Sequence, residues 1–254
     1  MKKQNKERII VSFTSWVNRI KRDIRPVINS ILEGSLVPDE MILNLSEEEW
    51  AACEDNDALA ALHCLKELAE DPKLPFSINM VAGPNTKCFK KFLPILDEHK
   101  NDIIITIDDD ILYPHEFVEQ MVKKFKEDET RPVTVNYYNY NGLIVMWGGG
   151  ALYKASFLEG WEDIITDEII STYEDDWFYT YVMLKNGIKL RLCPDEIYYD
   201  PFIYRQYTYD DQMFVEGGYN NRHTVEVLNK RFVELGYDVD ELVESLFKKY
   251  KYDI

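Results

Sequence analysis

Six carboxylates in two short runs carry most of the chemistry open to this chain. Asp108-Asp109-Asp110 follow the apolar run Ile103-Ile104-Ile105-Thr106-Ile107, and Glu174-Asp175-Asp176 precede Trp177-Phe178. Adjacent aspartates repel one another, and a hard divalent cation is the simplest thing that relieves the repulsion. A carboxylate with apolar neighbours can have its pKa lifted toward general-base work. One acid is enough for a turn or a helix N-terminus, so two runs of three exceed what local structure needs. Three further sets accompany them. Lys87, Lys90 and Lys91 come after the loop Ala82-Gly83-Pro84-Asn85-Thr86, the last two at the start of a predicted helix where an anion could bind; a solvated lysine face is the alternative. Gly148-Gly149-Gly150 would let a ligand or another backbone come close, or else form a flexible turn. His223, beside Arg222, has the chemistry of a metal ligand, although a lone histidine is usually structural.

These groups need rigid elements beneath them. The unbroken β-branched run Ile103 to Ile107 predicts a strand covered on both faces, and Pro114 suits the opening of the next helix. Ligands of open α/β sheets gather at the carboxyl ends of strands, which is where these acids stand. Arg8 to Ser15 reads as a first strand ending in hydroxyls, followed by Ile24, Val27, Ile28, Ile31 and Leu32 at helical spacing. Met41 to Leu45 is a second strand, and Ser46 and Glu49 after it have capping-box spacing. Leu59, Leu62, Leu65 and Leu68 predict one helix face, Ser77 to Val81 a third strand, and Phe117, Val118, Met121, Val122 and Phe125 another amphipathic helix. Repeated βα order implies a parallel sheet.

From Arg131 the pattern changes. Val133 to Tyr138 and Leu143 to Trp147 flank Asn139-Tyr140-Asn141-Gly142, a hairpin signal. The second acid run opens a helix that ends at Asn186-Gly187, Lys189 to Cys193 is a further strand, and an aromatic stretch spans Tyr198 to Tyr207. The tail is helical, with one stripe of Leu228, Phe232 and Leu235 and another of Val239, Leu242, Val243, Leu246 and Phe247. The expectation is one domain over residues 1–254: a βα half over about 8–130, a mixed half over about 131–220, and a helical tail over about 221–254.

The 254 residues carry a formal charge of −17, which argues against nucleic-acid binding because phosphates need a basic face. A hydrophobic content of 46% with 17 Tyr and 12 Phe supports a sizeable core. Cys53, Cys64, Cys88 and Cys193 lack metal or redox spacing and read as reduced thiols. The polar start Met1-Lys2-Lys3-Gln4-Asn5-Lys6 is not followed by a signal-peptide run. The expected location is the cytoplasm or the inner face of the membrane, with no transmembrane segment.

Taken in order, the pieces resemble the GT-A (Rossmann-like) nucleotide-sugar-dependent glycosyltransferases, related to glycosyltransferase family 2 and especially its bacterial capsule and surface-polysaccharide enzymes. The resemblance rests on Val11-Ser12-Phe13-Thr14-Ser15 with Arg19, Gly83-Pro84 leading to Lys90-Lys91, Asp108-Asp109-Asp110 with Tyr113-Pro114, and Glu174-Asp175-Asp176-Trp177-Phe178 with Asn186-Gly187. It implies an α/β fold: a mostly parallel sheet flanked by helices, with a mixed C-terminal half and C-terminal helices. It also implies a donor, a UDP-sugar favoured, whose diphosphate is bridged by Mn²⁺ or Mg²⁺, and a glycan or lipid-linked acceptor. Asp110 resembles the principal metal ligand of the D-x-D element, with Asp108 nearer the ribose, Asp109 assisting and His223 as a third ligand. Thr14, Arg19, Lys87 and Lys91 resemble nucleotide contacts. Glu174-Asp175 is similar to the E-D element of inverting members, in which the Asp is the base, and the run of three leaves its register against Asp176 open.

Two rivals use the same acids. In a phosphatase of the haloacid-dehalogenase type, Asp108 would be a nucleophile forming an aspartyl-phosphate; that motif usually follows the first strand, whereas several βα units come earlier here. A non-catalytic protein would hold only a cation or a sugar. Tyr137, Tyr138, Trp147 and Trp177 could stack on sugar faces, or simply be buried.

Overall fold

The computed structural model describes residues 7–21, 24–140, 143–192 and 221–242, apart from the side chains of 138–144, 192 and 221. The expectations for Cys193, the Tyr198–Tyr207 stretch, the Asn141-Gly142 turn and the stripe beyond Leu242 lie outside the described residues.

Local patterning produces a βα half first. β1 (Ile9–Thr14), β2 (Glu40–Ser46), β3 (Phe76–Val81) and β4 (Ile103–Ile107) are joined through α1 (Val17–Ile20), α2 (Arg25–Leu32), α3 (Glu47–Ala51), α4 (Asn56–Ala69) and short 3-10 turns. β2 and β4 pair in parallel with β1, and β3 pairs in parallel with β2. Every residue of β4 is buried, as a strand covered on both faces requires. Each fully buried Ile contributes about 1.5–3 kcal/mol.

The second half is mixed. α5 (Phe117–Glu127) buries Phe117, Val118, Met121 and Phe125, the i, i+4 face read from the sequence. Beyond it come β5 (Val133–Thr134), the separate hairpin β6 (Tyr137–Tyr140) and β7 (Leu143–Met146), then β8 (Gly150–Lys154), α6 (Asp167–Ile170), α7 (Asp175–Lys185), β9 (Arg191–Leu192) and α8 (Asn221–Glu234). Among the described residues the main sheet runs β3-β2-β1-β4-β8-β5-β9. β8 lies antiparallel between β4 and β5. Its register sets Gly150 opposite Ile107, so the glycine run enters the sheet at the edge where the first acid run leaves it.

Two expectations change, and one open alternative is decided. Leu59 is exposed while Ala58, Leu62 and Leu65 are buried, so the buried face of α4 is rotated from the leucine spacing. Lys90 and Lys91 close a 3-10 turn, Lys87–Lys91, instead of opening a helix, so no helix N-terminus offers them an anion. Trp177 is buried in α7, whose residues Asp175 to Met183 are all buried. A helix covered all round belongs to the core, so Trp177 packs there and faces no sugar. Leu228 and Phe232 are buried as a stripe of α8. Cys53, Cys64 and Cys88 are free, and among the described residues no helix is long and apolar enough to cross a membrane.

Candidate active site

The loops that follow β1, β2, β3 and β4 meet the leader into β8 and the start of α7 at one edge of the sheet. This is the carboxyl-end edge at which open α/β sheets bind ligands.

The first acid run is held by protein cations. Arg19, buried on α1, makes a short ion pair with Asp109 and stands 3.2 Å from Asp110 Oδ2. Lys91 Nζ donates to Asp108 Oδ1 at 3.1 Å. The Asp108 backbone N–H donates to Tyr113 Oη at 2.8 Å, and that hydroxyl donates to the Gly149 carbonyl. The turn after β4 is therefore tied to the glycine run. The Asp108 and Asp110 side chains remain 28% and 17% exposed, against 8% for Asp109, so the outer two can meet a ligand.

The same lysine reaches the second run. Lys91 Nζ lies 3.0 Å from Asp175 Oδ2, yet that oxygen accepts no aligned hydrogen bond, so the contact is Coulombic. Burial opposes the Lys91 charge, but Asp108, Asp175 and Asp176 outweigh it and push its pKa well above the ordinary lysine range. Its placement follows from aromatic packing. Phe89 and Phe92, either side of the lysine pair, meet the Phe178 ring on α7 at 5.5 and 6.2 Å between centroids, and Phe92 meets Tyr179 edge-on at 5.6 Å.

The three acids at the start of α7 divide by environment. Asp176 Oδ1 accepts from the Gly148 N–H at 2.9 Å and from Tyr179 Oη at 2.8 Å, which commits it to structure. Burial, then the Asp175 charge, raises its pKa above the carboxylate range. Burial, then Asp176 and Asp175, pushes Glu174 up to about 9, so it is protonated at neutral pH. Asp175 is the member that faces a buried cation, Lys91.

The glycines settle their own alternatives. A Cβ added to Gly149 would stand 2.2 Å from Asp108 Oδ2 and 2.5 Å from the Trp147 ring; one added to Gly148 would stand 1.9 Å from Tyr179 Oη and 2.7 Å from Asp176 Oδ1. Close approach to both acid runs demands glycine here.

Beside the acids lies a cavity of about 350 Å³ lined in part by Ser15, Trp16, Glu49, Asn85, Lys87 and Tyr173. Ser15 Oγ and Trp16 Nε1 are buried without hydrogen-bond partners, which leaves two polar groups for a ligand to satisfy. Glu49 holds the walls together: its carboxylate accepts from Val17 N at 3.1 Å and from Asn85 Nδ2 at 3.4 Å. Ser46 does cap α3 through Glu49 N, but the Glu49 side chain is spent on the cavity. Lys87 and Tyr173 have φ of +56° and +59°, a strained conformation for non-glycine residues, and the Lys87 ammonium lies 5.6 Å from the Tyr173 ring centre.

Of the sequence candidates, Asp108, Asp109, Asp110, Arg19, Lys91, Glu174, Asp175 and Asp176 are gathered at this edge, with Lys87 in the cavity wall. The Thr14 hydroxyl instead donates to the Asn44 carbonyl at 2.8 Å, which braces β1 against β2. His223 is exposed in the first turn of α8. Among the described residues no three His, Cys, Asp or Glu side chains are grouped to hold an ion, so His223 is not gathered with Asp108 and Asp110. Those two carboxylates still suit a hard cation of the Mg²⁺ type, which takes one or two carboxylates and completes its shell from substrate phosphates and water. Ser15 belongs to the hydroxyl-ending first strand read from the sequence, whereas Trp16, Asn85 and Tyr173 were not singled out as site residues. Those three carry no local signal without the loops assembled.

The sequence model described as Glycosyl transferase family 2 matches residues 17–208, most of the chain. No curated protein sequence matches. Among solved structures the chain is similar to S. aureus TarS 1-349 in complex with UDP (13% identity, TM-score 0.52, covering 92% of this chain and 76% of that one). It is similar also to the complex of TarS 1-349 with UDP-GlcNAc (14%, TM-score 0.50, 94% and 77%) and to a longer TarS chain (13%, TM-score 0.57, 94% and 42%). The chain thus spans under half of that longer chain, and 57% of another TarS 1-349 structure. At such identities the likeness speaks for the fold alone, a mostly parallel α/β sheet of the GT-A kind.

Proposed function

The chain belongs to glycosyl transferase family 2, and we propose that this glycosyltransferase moves a sugar from a UDP-sugar to a glycan or lipid-linked acceptor, with inversion, in surface-polysaccharide assembly. Family membership sets aside the phosphatase alternative. The observation that carries the reading is the single Lys91 ammonium, 3.1 Å from Asp108 and 3.0 Å from Asp175, because one cation beside both acid runs supports reading them as the D-x-D and E-D elements of a common reaction centre.

The nucleoside occupies the cavity at Ser15 and Trp16, whose unpartnered polar atoms meet its base and ribose. Asp108 and Asp110 would hold Mn²⁺ or Mg²⁺ against the donor's diphosphate. When bound, such an ion stabilises the charge that grows on the departing diphosphate. Asp175 takes the proton of the attacking acceptor hydroxyl. Glu174, protonated, and Asp176, committed to Gly148 and Tyr179, stay out of that transfer.

Melting curves with UDP, GDP, CDP and ADP, each with Mn²⁺ or EDTA, test the donor site. A ligand binding only the folded state adds about 2.7 kcal/mol at a hundredfold excess over its dissociation constant. The expected result is stabilisation by UDP that needs the metal. Indifference to all four nucleotides with metal present would overturn the reading.

A further inference from the structure

Lys91 is more than one contact among several. Its side chain is 7% exposed, its carbonyl accepts from Ser12 Oγ on β1 at 2.6 Å, and the flanking Phe89 and Phe92 are packed on α7. The ammonium is therefore built into the floor of the site and touches one carboxylate of each acid run. A lysine meant for a diphosphate would extend from the loop toward the cavity, as Lys87 does beside Tyr173. Without Lys91 the buried Asp175 would have no cation within ion-pair distance among the described residues.

We propose that Lys91 is the shared counter-ion of the two acid runs: a positioning residue that holds Asp175 toward the acceptor hydroxyl and releases Asp108 when the donor's cation arrives. This rests on the transferase reading and adds two things to it. The donor-free chain carries its own charge at the place where the cation will bind, so a metal must compete with Lys91 for Asp108. The base and the donor end are held in register by one side chain, so filling one site is felt at the other.

The test uses Lys91→Met, which keeps the length and apolar stem and removes the charge, with Lys91→Gln as the substitute if the methionine chain fails to fold by circular dichroism. Mn²⁺ alone is titrated by electron paramagnetic resonance, UDP with Mn²⁺ by calorimetry, and turnover is followed as UDP release from UDP-GlcNAc. Removing a positive charge beside a metal-binding carboxylate should tighten Mn²⁺ by at least about tenfold. UDP affinity should hold or improve, while turnover at saturating donor falls by about 10²-fold, the scale of a 1 Å misplacement of a reacting group. Ethylammonium should restore part of the turnover of Lys91→Ala and leave the wild type unaffected, which a merely structural lysine would not permit. Unchanged or weaker Mn²⁺ binding overturns the proposal, and so does loss of UDP affinity in step with turnover, which would make Lys91 a diphosphate ligand. A wild type that binds no nucleotide sinks the transferase reading instead, and the Mn²⁺ titration still decides about Lys91.

Discussion

Gly149→Ala isolates the contact between the glycine run and the first acid run. Ordinary contact begins near 3.4 Å, so a Cβ placed 2.2 Å from Asp108 Oδ2 obliges that carboxylate to retreat by about 1.2 Å, and the Trp147 ring, at 2.5 Å, by about 0.9 Å. The carboxylate is the tip of a short side chain and yields more cheaply than a ring packed against the core. Overpacking of this kind costs about 1–3 kcal/mol, or a few degrees of melting temperature for each kcal/mol in a chain of this size. The functional loss should be larger in proportion, because Asp108 leaves its 3.1 Å contact with Lys91 and its place at the donor: about 10²-fold in turnover. The assay is UDP release and UDP–Mn²⁺ affinity beside melting curves for wild type, Gly149→Ala and Gly187→Ala. Gly187 has φ +70° with nothing within 4 Å of an added Cβ, so its alanine costs only about 1–2 kcal/mol of backbone strain and serves as a stability control. If Gly149→Ala turned over as fast as Gly187→Ala at equal stability, the inferred contact between Gly149 and the donor-binding acid would be refuted.

The remaining predictions concern the acids themselves. Asp175→Asn should abolish transfer and leave UDP–Mn²⁺ affinity within a few-fold of wild type, whereas Asp110→Asn should lose the metal-dependent part of that affinity; calorimetry beside turnover separates the two, and wild-type turnover in either removes that residue from the mechanism. Glu174 tests linkage: its folded pKa, pushed to about 9, lies above the unfolded value near 4.3, so the folded chain holds a proton that the unfolded chain gives up. That contribution is fully present below the unfolded pKa and is lost as pH rises toward 9. Glu174→Gln, neutral throughout, should therefore gain melting temperature over wild type at pH 8 compared with pH 5; a difference independent of pH would show that Glu174 is ionised in the folded chain.

What the chain declares locally is the scaffold. The β-branched run Ile103 to Ile107 became a fully buried strand, the i, i+4 face of Phe117, Val118, Met121 and Phe125 became the buried face of α5, and the acids appeared at a strand end and a helix start. Periodicity and β-propensity reach over a few residues, and each of these features is decided within that span. Leu59 shows the limit, since a leucine spacing does not say which side of α4 the sheet will cover. The site itself depended on distance along the chain. Arg19 meets Asp109 across 90 residues and Lys91 meets Asp108 across 17. Asp175 joins the same lysine only because Phe89 and Phe92 dock on α7. Whether three glycines were a loose turn or a tight passage was settled by β8 lying antiparallel beside β4, which presses Gly149 against Asp108. Residue types and their order determined the layered scaffold and the acids it carries; packing between distant segments decided which acid is paired with a buried cation, which is hydrogen-bonded into the structure and which is pushed toward its protonated form, because charge and burial are properties of neighbours that only the folded chain supplies.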